Sequence, residues 1–173
     1  MLVTSNQTLS ARAERLRNYG QNARYHHTEL GMNSRLDEIH AAILGERLKC
    51  LPEFTARRQR IALAYRTGIN SSLIRQLASP EEPGSHVYHL YVINCNQRDL
   101  LQANLHNKQI QTLIHYPICI HQQDPLVSIK RDPEGLSNSE YHAATCLSLP
   151  CHPQMSDEDV SKVIDAVNLF KGA

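Results

Sequence analysis

HVYHLYVIN, residues 86–94, alternates in hydropathy and is rich in β formers, so it reads as a strand. Asn96 follows it and can cap a helix over about 98–107. QTLIHY, 111–116, reads as a second strand, stopped by Pro117. Strand, helix and strand in that order define an α/β unit, and that unit decides the fold class.

Outward from it, the pattern continues in both directions. Residues 117–138 form a long loop with three prolines. A helix fits 139–146, and LSLP, 147–150, is a short strand. Ser156 with Asp159 spells an S-x-x-D capping box for a last helix through Val160, Ile164 and Val167 to Phe170. Asp157, Glu158 and Asp159 favour the positive end of that helix. Towards the N-terminus, 70–86 carries Ser-Pro and Pro-Gly turn signals. Pro52 starts a helix that is basic at Arg57, Arg58 and Arg60 and apolar at Phe54, Ile61 and Tyr65. Ahead of it, Ser34 with Asp37 predicts another capped helix, with Leu36, Ile39, Ile43, Leu44 and Leu48 as its buried stripe. Residues 20–32 read as an irregular polar loop. Ser5 or Asn6 caps a first helix running to about Asn18, with Leu9, Ala13 and Leu16 on one face and Gly20 closing it. Residues 2–4 read as the tail of a strand. The expected architecture is α/β: leading helices over 1–69, then a small sheet with helices packed on it over 70–173.

Composition excludes several functions. A net charge of +1 leaves no basic face for nucleic acid, and the absence of Trp argues against a stacking platform for single strands. No apolar run approaches the roughly 20 residues that span a bilayer, so no membrane contact is expected. The N-terminus lacks a signal layout. Five cysteines, with no CxxC, do not make a disulfide framework, and the expected compartment is the cytoplasm. Ten histidines raise the question of zinc. His86-x-x-His89, Cys119-x-His121 and Cys151-His152 lack paired ligand spacing, so no metal site is expected. There is no GxGxxG, no GxxxxGK[ST] and no GxSxG. Cys119 lies near His115 and His121 in sequence but lacks an orienting partner for nucleophilic work.

Two clusters remain. Arg24 lies in the polar loop, while Asn33 and Arg35 lie at an expected helix start. Free amides, the helix dipole and a guanidinium fork suit a phosphate there, although Asn and Ser are also ordinary caps. His115-Tyr116-Pro117, followed by His121, lies at a strand end, where α/β folds often carry ligand contacts.

Together the clusters carry a resemblance. RLRNYGQNARYHHTELGMNSRLDEIHAAIL, then HVYHLYVI, IQTLIHYPICIHQQ and LSLPCHPQMSDEDVSKVIDAV, resembles the nucleotide-sugar aminotransferases of the DegT/StrS family, PLP-dependent enzymes of fold type I. The match runs from about Val3 to Phe170 and covers only the C-terminal part of such an enzyme. It implies the small domain of that fold, with the PLP-lysine domain lying upstream. The five lysines, Lys49, Lys108, Lys130, Lys162 and Lys171, all lack the family's glycine-rich lysine context. The resemblance therefore implies a truncated or split transaminase, inactive by itself, or a non-catalytic module that binds a partner subunit or a sugar nucleotide. It implies that Asn33 and Arg35 contact the PLP phosphate of a neighbouring subunit. Arg24 would sit near the nucleotide-sugar pyrophosphate, also across the dimer, and His115 and Tyr116 would be sugar-nucleotide contacts, with His121 as a secondary candidate. Implied partners are a second copy or a chain carrying the PLP domain, with a nucleotide-linked keto sugar and an amino donor such as glutamate. Apolar surface exposed at 34–69 is expected to drive self-association.

Overall fold

The computed structural model describes residues 2–82, 84–126, 128 and 132–172. The chain divides into two compact units, Met1–Cys50 and Leu51–Ala173.

In the first unit, α1 (Gln7–Leu16) starts at Asn6, whose side chain accepts from the Leu9 amide at 3.1 Å. Residues 2–4 form no strand. At the other end the Gly20 amide donates to the Arg15 carbonyl at 2.8 Å, with Gly20 at φ +70°, so Gly20 closes the helix as expected. The expected loop at 20–32 holds a small antiparallel hairpin, β1 (Gln21–Ala23) with β2 (His26–His27). Gly31 then returns against Gly20. A Cβ on Gly20 would lie 1.7 Å from the Glu29 carbonyl oxygen, and one on Gly31 2.1 Å from the Gly20 nitrogen. Only two glycines permit that approach, and it places Met32 N–H on Leu16 O and Ser34 N–H on Arg17 O, both at 2.8 Å. Gly20→Ala is expected to destabilise this unit by more than about 1 kcal/mol, since strain at positive φ adds to the backbone clash. Limited proteolysis should then cut within 17–35 while the second unit stays resistant.

The second helix, α2 (Glu38–Lys49), begins later than the S-x-x-D pattern predicts. Asp37 is the cap and accepts from the His40 amide at 2.9 Å. Ser34 is held instead by its amide bond to Arg17, which keeps 34–36 out of the helix. The expected buried stripe is exposed: Leu36 63%, Ile39 74%, Ile43 51%, Leu44 54% and Leu48 66%. Periodicity identified the apolar positions correctly, but no described layer covers them.

The second unit opens with α3 (Leu51–Gly68), in which Pro52 occupies the first turn. Its sheet has the order β3 (Arg75–Gln76), β4 (Tyr91–Asn94), β5 (Cys146–Leu149), all antiparallel. Between β4 and β5 run α4 (Arg98–Asn107) and α5 (Ser137–Thr145); α6 (Asp157–Asn168) follows. The expected strand 86–94 is confined to its last four residues. Tyr88 at φ +47° breaks the extended path before them. QTLIHY contributes only Leu113, which exchanges two backbone hydrogen bonds with Ser148 at 3.3 and 2.7 Å. Helix α4 starts at Gln97 rather than Asn96, whose side chain accepts from the Tyr141 hydroxyl. Pro83 of the expected Pro-Gly turn lies outside the described residues.

Period 2 sorts the strand residues. Tyr91 and Ile93 pair with Leu149 and Leu147, and all four are buried among Ile61, Tyr65, Leu101, Leu105 and Val167. Val92 and Asn94 pair with Ser148 and Cys146 on the opposite face. Each fully buried aliphatic contributes about 1.5–3 kcal/mol, so this core holds the unit together. Two polar ties join helices across it. The Tyr65 hydroxyl donates to Pro150 O at 2.7 Å. Arg57 donates to Asp157 at 2.7 Å and to Met155 O at 2.6 Å, fixing the start of α6 on α3.

The Ser156–Asp159 capping box forms as the sequence predicts. Ser156 holds the Asp159 carboxyl below its ordinary range by donating its O–H and its backbone N–H to that carboxylate. A lowered folded-state value stabilises above the unfolded one, near 3.8, and is lost as pH falls through the folded value. Acid unfolding below about pH 4 should therefore be shallower in Asp159→Asn than in the parent, as read by thermal melts across pH.

Candidate functional site

In the first unit the structure places Arg24, Asn33 and Arg35 at the surface. Arg24 sits at the hairpin turn between β1 and β2. Its guanidinium lies 5.0 Å from the Tyr25 ring centre and donates to the Tyr25 hydroxyl at 3.2 Å. Asn33 bridges Asn18 through the backbone, and among the described residues its side chain has no hydrogen-bond partner. Arg35 lies over the Tyr19 ring at 5.6 Å. That contact orients a planar donor fork without neutralising its charge. No contact joins Arg24 to Arg35.

The helix-start geometry differs from the expectation. Asn33 and Arg35 precede α2 by several residues, on an extended segment. The α2 N-terminus is already occupied by the Asp37 carboxylate, whose pKa is lowered by the His40 amide and ring. A capping carboxylate takes up one of the free amides, and its charge repels an anion. Any phosphate contact here must come from the Asn33 and Arg35 side chains.

In the second unit the bridge at Leu113 sets the position of His115. Two residues further along, its Nδ1 lies 2.9 Å from Ser148 Oγ. Tyr116 is 71% exposed and meets the His115 ring edge-on at 5.3 Å. The peptide bond between them is cis. His121 lies in a short 3-10 turn, Ile120–Gln122, and is tied to Glu140 of α5 at 2.9 Å. Its side chain is largely covered, whereas Glu140 is half exposed. The structure thus brings His115 and Tyr116 together and holds His121 separately through α5.

His115 and Ser148 line a groove of about 1430 Å³. Gln102 and His106 of α4, Lys162 of α6 and His152 contribute to its walls. Beside this site Cys146 is buried, and burial pushes its thiol up. Cys151 is likewise pushed up to about 11 by burial. Neither thiol is a ready nucleophile at neutral pH. Among the described residues, no three His, Cys, Asp or Glu side chains gather to hold a metal ion. No described helix is long and apolar enough to cross a membrane.

Two of the described lysines do not match the carbonyl end of PLP. Lys49 pairs with Glu46 and Lys162 with Glu158, and the hydrogen bond to Glu158 raises the Lys162 pKa. A lysine that forms an imine must shed its proton, which burial beside other cations promotes and a carboxylate opposes. Lys130 lies outside the described residues. Asn33 and Arg35 suit only the phosphate end of the group.

Sequence reasoning missed Ser148, Tyr19 and Glu140, the residues that hold His115, Arg35 and His121. None carries a local motif; each is identified only by a contact across the fold. The one available signal was the alternation of LSLP, which sets Ser148 opposite the leucines.

An α/β unit whose antiparallel sheet carries helices and an exposed arginine clip define a recognisable class of protein. The chain belongs to the DegT/DnrJ/EryC1/StrS aminotransferase family, whose model matches residues 1–168. It is 38% identical over 169 residues to the dTDP-3-amino-3,6-dideoxy-alpha-D-galactopyranose transaminase of Aneurinibacillus thermoaerophilus, covering 98% of this chain and 46% of that one. Its fold matches S. venezuelae DesV, solved in complex with a ketimine intermediate, at TM-score 0.83 and 35% identity. That match covers 96% of this chain and 45% of DesV. A DegT DnrJ EryC1 StrS aminotransferase from Brucella abortus matches at TM-score 0.87 and 30% identity, covering 98% and 45%. The chain therefore spans about half the length of the relatives it matches.

Proposed function

We propose that these 173 residues act as the C-terminal portion of a PLP-dependent transaminase of nucleotide-linked keto sugars. The observation that carries this reading is the coverage: nearly all of this chain aligns with under half of each relative. When bound, PLP supplies the electron sink for moving an amino group, here from a donor such as glutamate. Asn33 and Arg35 would donate to the phosphate of a cofactor held by a neighbouring subunit, with Tyr19 holding the guanidinium in place. Arg24, braced by Tyr25, would meet a nucleotide-sugar pyrophosphate across a dimer. In the second unit, His115 and Tyr116 would contact a sugar nucleotide, with His121, held by Glu140, as a further candidate. The Schiff-base lysine is supplied from outside these 173 residues, by a lysine-bearing PLP domain that completes the enzyme as part of a dimer or in a partner chain.

The exposed, carboxylate-paired lysines favour one further reading, a module that binds the partner or the sugar nucleotide without turnover. Mixing the purified chain with the separately expressed lysine-bearing portion of a relative separates the two. Amino transfer to a dTDP- or UDP-linked keto sugar in the mixture, and in neither part alone, is the expected result. Binding of the nucleotide without turnover in the mixture supports the module. Neither binding nor turnover sinks both readings.

A further inference from the structure

We propose that Ser148 is the positioning residue of His115, holding its neutral ring with the hydrogen on Nε2 and that N–H turned to the groove as a donor for an acceptor oxygen of the ligand. The proposal rests on His115 being a ligand contact, as read above.

Hydrogen counting carries the assignment. Ser148 is 5% exposed, in a strand buried along its length. Its backbone N–H and C=O are both used by Leu113. Among the described residues, its hydroxyl has one hydrogen-bond partner, His115 Nδ1 at 2.9 Å. A hydroxyl brings one hydrogen and two lone pairs, whereas a neutral imidazole has one nitrogen of each kind. Were the ring hydrogen on Nδ1, it would point at Oγ, and the serine hydrogen would be left buried without an acceptor. An unmade buried donor costs more than an unmade lone pair. The arrangement that satisfies both groups has Ser148 O–H donating to Nδ1, which leaves the ring hydrogen on Nε2.

The backbone makes this placement firm. Leu113 and Ser148 exchange two hydrogen bonds, and β5 is paired on its other side with β4. Ser148 therefore cannot shift along its strand without breaking both ladders. His115 follows the bridge by two residues, so its ring is carried to the same point each time. Among the described residues Nε2 has no hydrogen-bond partner, and the ring lines the groove with Ser148. An N–H donor there selects ligands by their acceptor oxygens, such as phosphoryl or carbonyl groups. A neutral ring so fixed donates a hydrogen bond and does not abstract a proton through Nε2.

The test is ¹⁵N–¹H correlation spectroscopy on the full chain labelled at histidine, at a pH where the ring is neutral, with His115→Gln used for assignment. The expected parent spectrum shows His115 with the hydrogen on Nε2. Ser148→Ala should shift the ring toward a mixture of the two tautomers, and Ser148→Thr, which keeps the hydroxyl, should restore the parent pattern. Titration with dTDP and with UDP should move the Nε2 resonance in the parent, and Ser148→Ala should weaken that binding by about tenfold. A merely structural role would change melting temperature in both variants and leave the tautomer alone. A parent ring with its hydrogen on Nδ1, which needs no variant to observe, overturns the proposal. So does a ring unchanged by Ser148→Ala. If the Nε2 form is found but neither nucleotide moves it, the positioning role stands and His115 falls as a ligand contact.

Discussion

Sedimented by itself, the full chain is expected to run as a dimer or larger assembly, and Ile39→Glu with Ile43→Glu is expected to return it to a monomer. The reason is the state of α2. Leu36, Ile39, Ile43, Leu44 and Leu48 are all at least half exposed. Side chains of this size each gain about 1.5–3 kcal/mol when they leave water. Folded monomers seldom carry a contiguous patch of this kind, and such patches mark places where another surface docks. A helix is also marginal in water when nothing packs on its apolar side, so association protects the helix as well as the patch. The paired glutamates place unpaired charge in that contact, which the association cannot bury cheaply. Helical content should fall in the monomeric variant, because the helix loses its cover. A parent chain that sediments as one monodisperse monomer would contradict the expectation.

Adding PLP to the chain is expected to yield no absorbance band from lysine-bound cofactor, and borohydride is expected to fix no stoichiometric adduct. Imine formation needs an amine that is neutral at working pH and held against the carbonyl. Lys162 is shifted the wrong way by Glu158, and Lys49 is bound at 2.8 Å by Glu46 on an exposed face. The effect is all or none: a transaminase without its imine lysine loses the step on which every later proton movement depends. A reducible adduct at one lysine, accompanied by amino transfer, would overturn the assignment of the Schiff-base lysine to a segment outside these 173 residues.

Local chemistry was legible where a short stretch both specifies a structure and supplies its partner. Ser156 and Asp159 lie one turn apart and satisfy each other, so the start of α6 could be read directly. Gly20 closed α1 for the same reason. The failures share an opposite cause. HVYHLYVIN has the composition of a nine-residue strand, but a ladder needs a neighbour, and β5 offers only four residues of register. QTLIHY met a single residue, Ser148, and so became a bridge. The α2 stripe was identified correctly as apolar, but burial depends on a covering layer, which periodicity does not reveal. At the site, residue types pointed to Arg24, Asn33, Arg35, His115, Tyr116 and His121. The helix-start rationale for Asn33 and Arg35 failed because Asp37 took the cap. What gives the basic groups their orientation came from Tyr19, Ser148 and Glu140, which lie 16, 33 and 19 positions away from the groups they hold.

The two ring systems packed edge-to-face at the centre of the second unit, Tyr65 and Tyr91 at 5.1 Å, give the molecule an optical asymmetry of their own. The chain has no Trp, and both phenols are buried, with burial pushing Tyr91 up to about 12 and Tyr65 higher still. Tyr19 and Tyr25 of the first unit are exposed. Near-ultraviolet dichroism therefore reports chiefly on the second unit, while far-ultraviolet dichroism sums the helices of both. One unlabelled sample, watched at two wavelengths, separates the melting of the arginine-bearing clip from that of the histidine-bearing sheet.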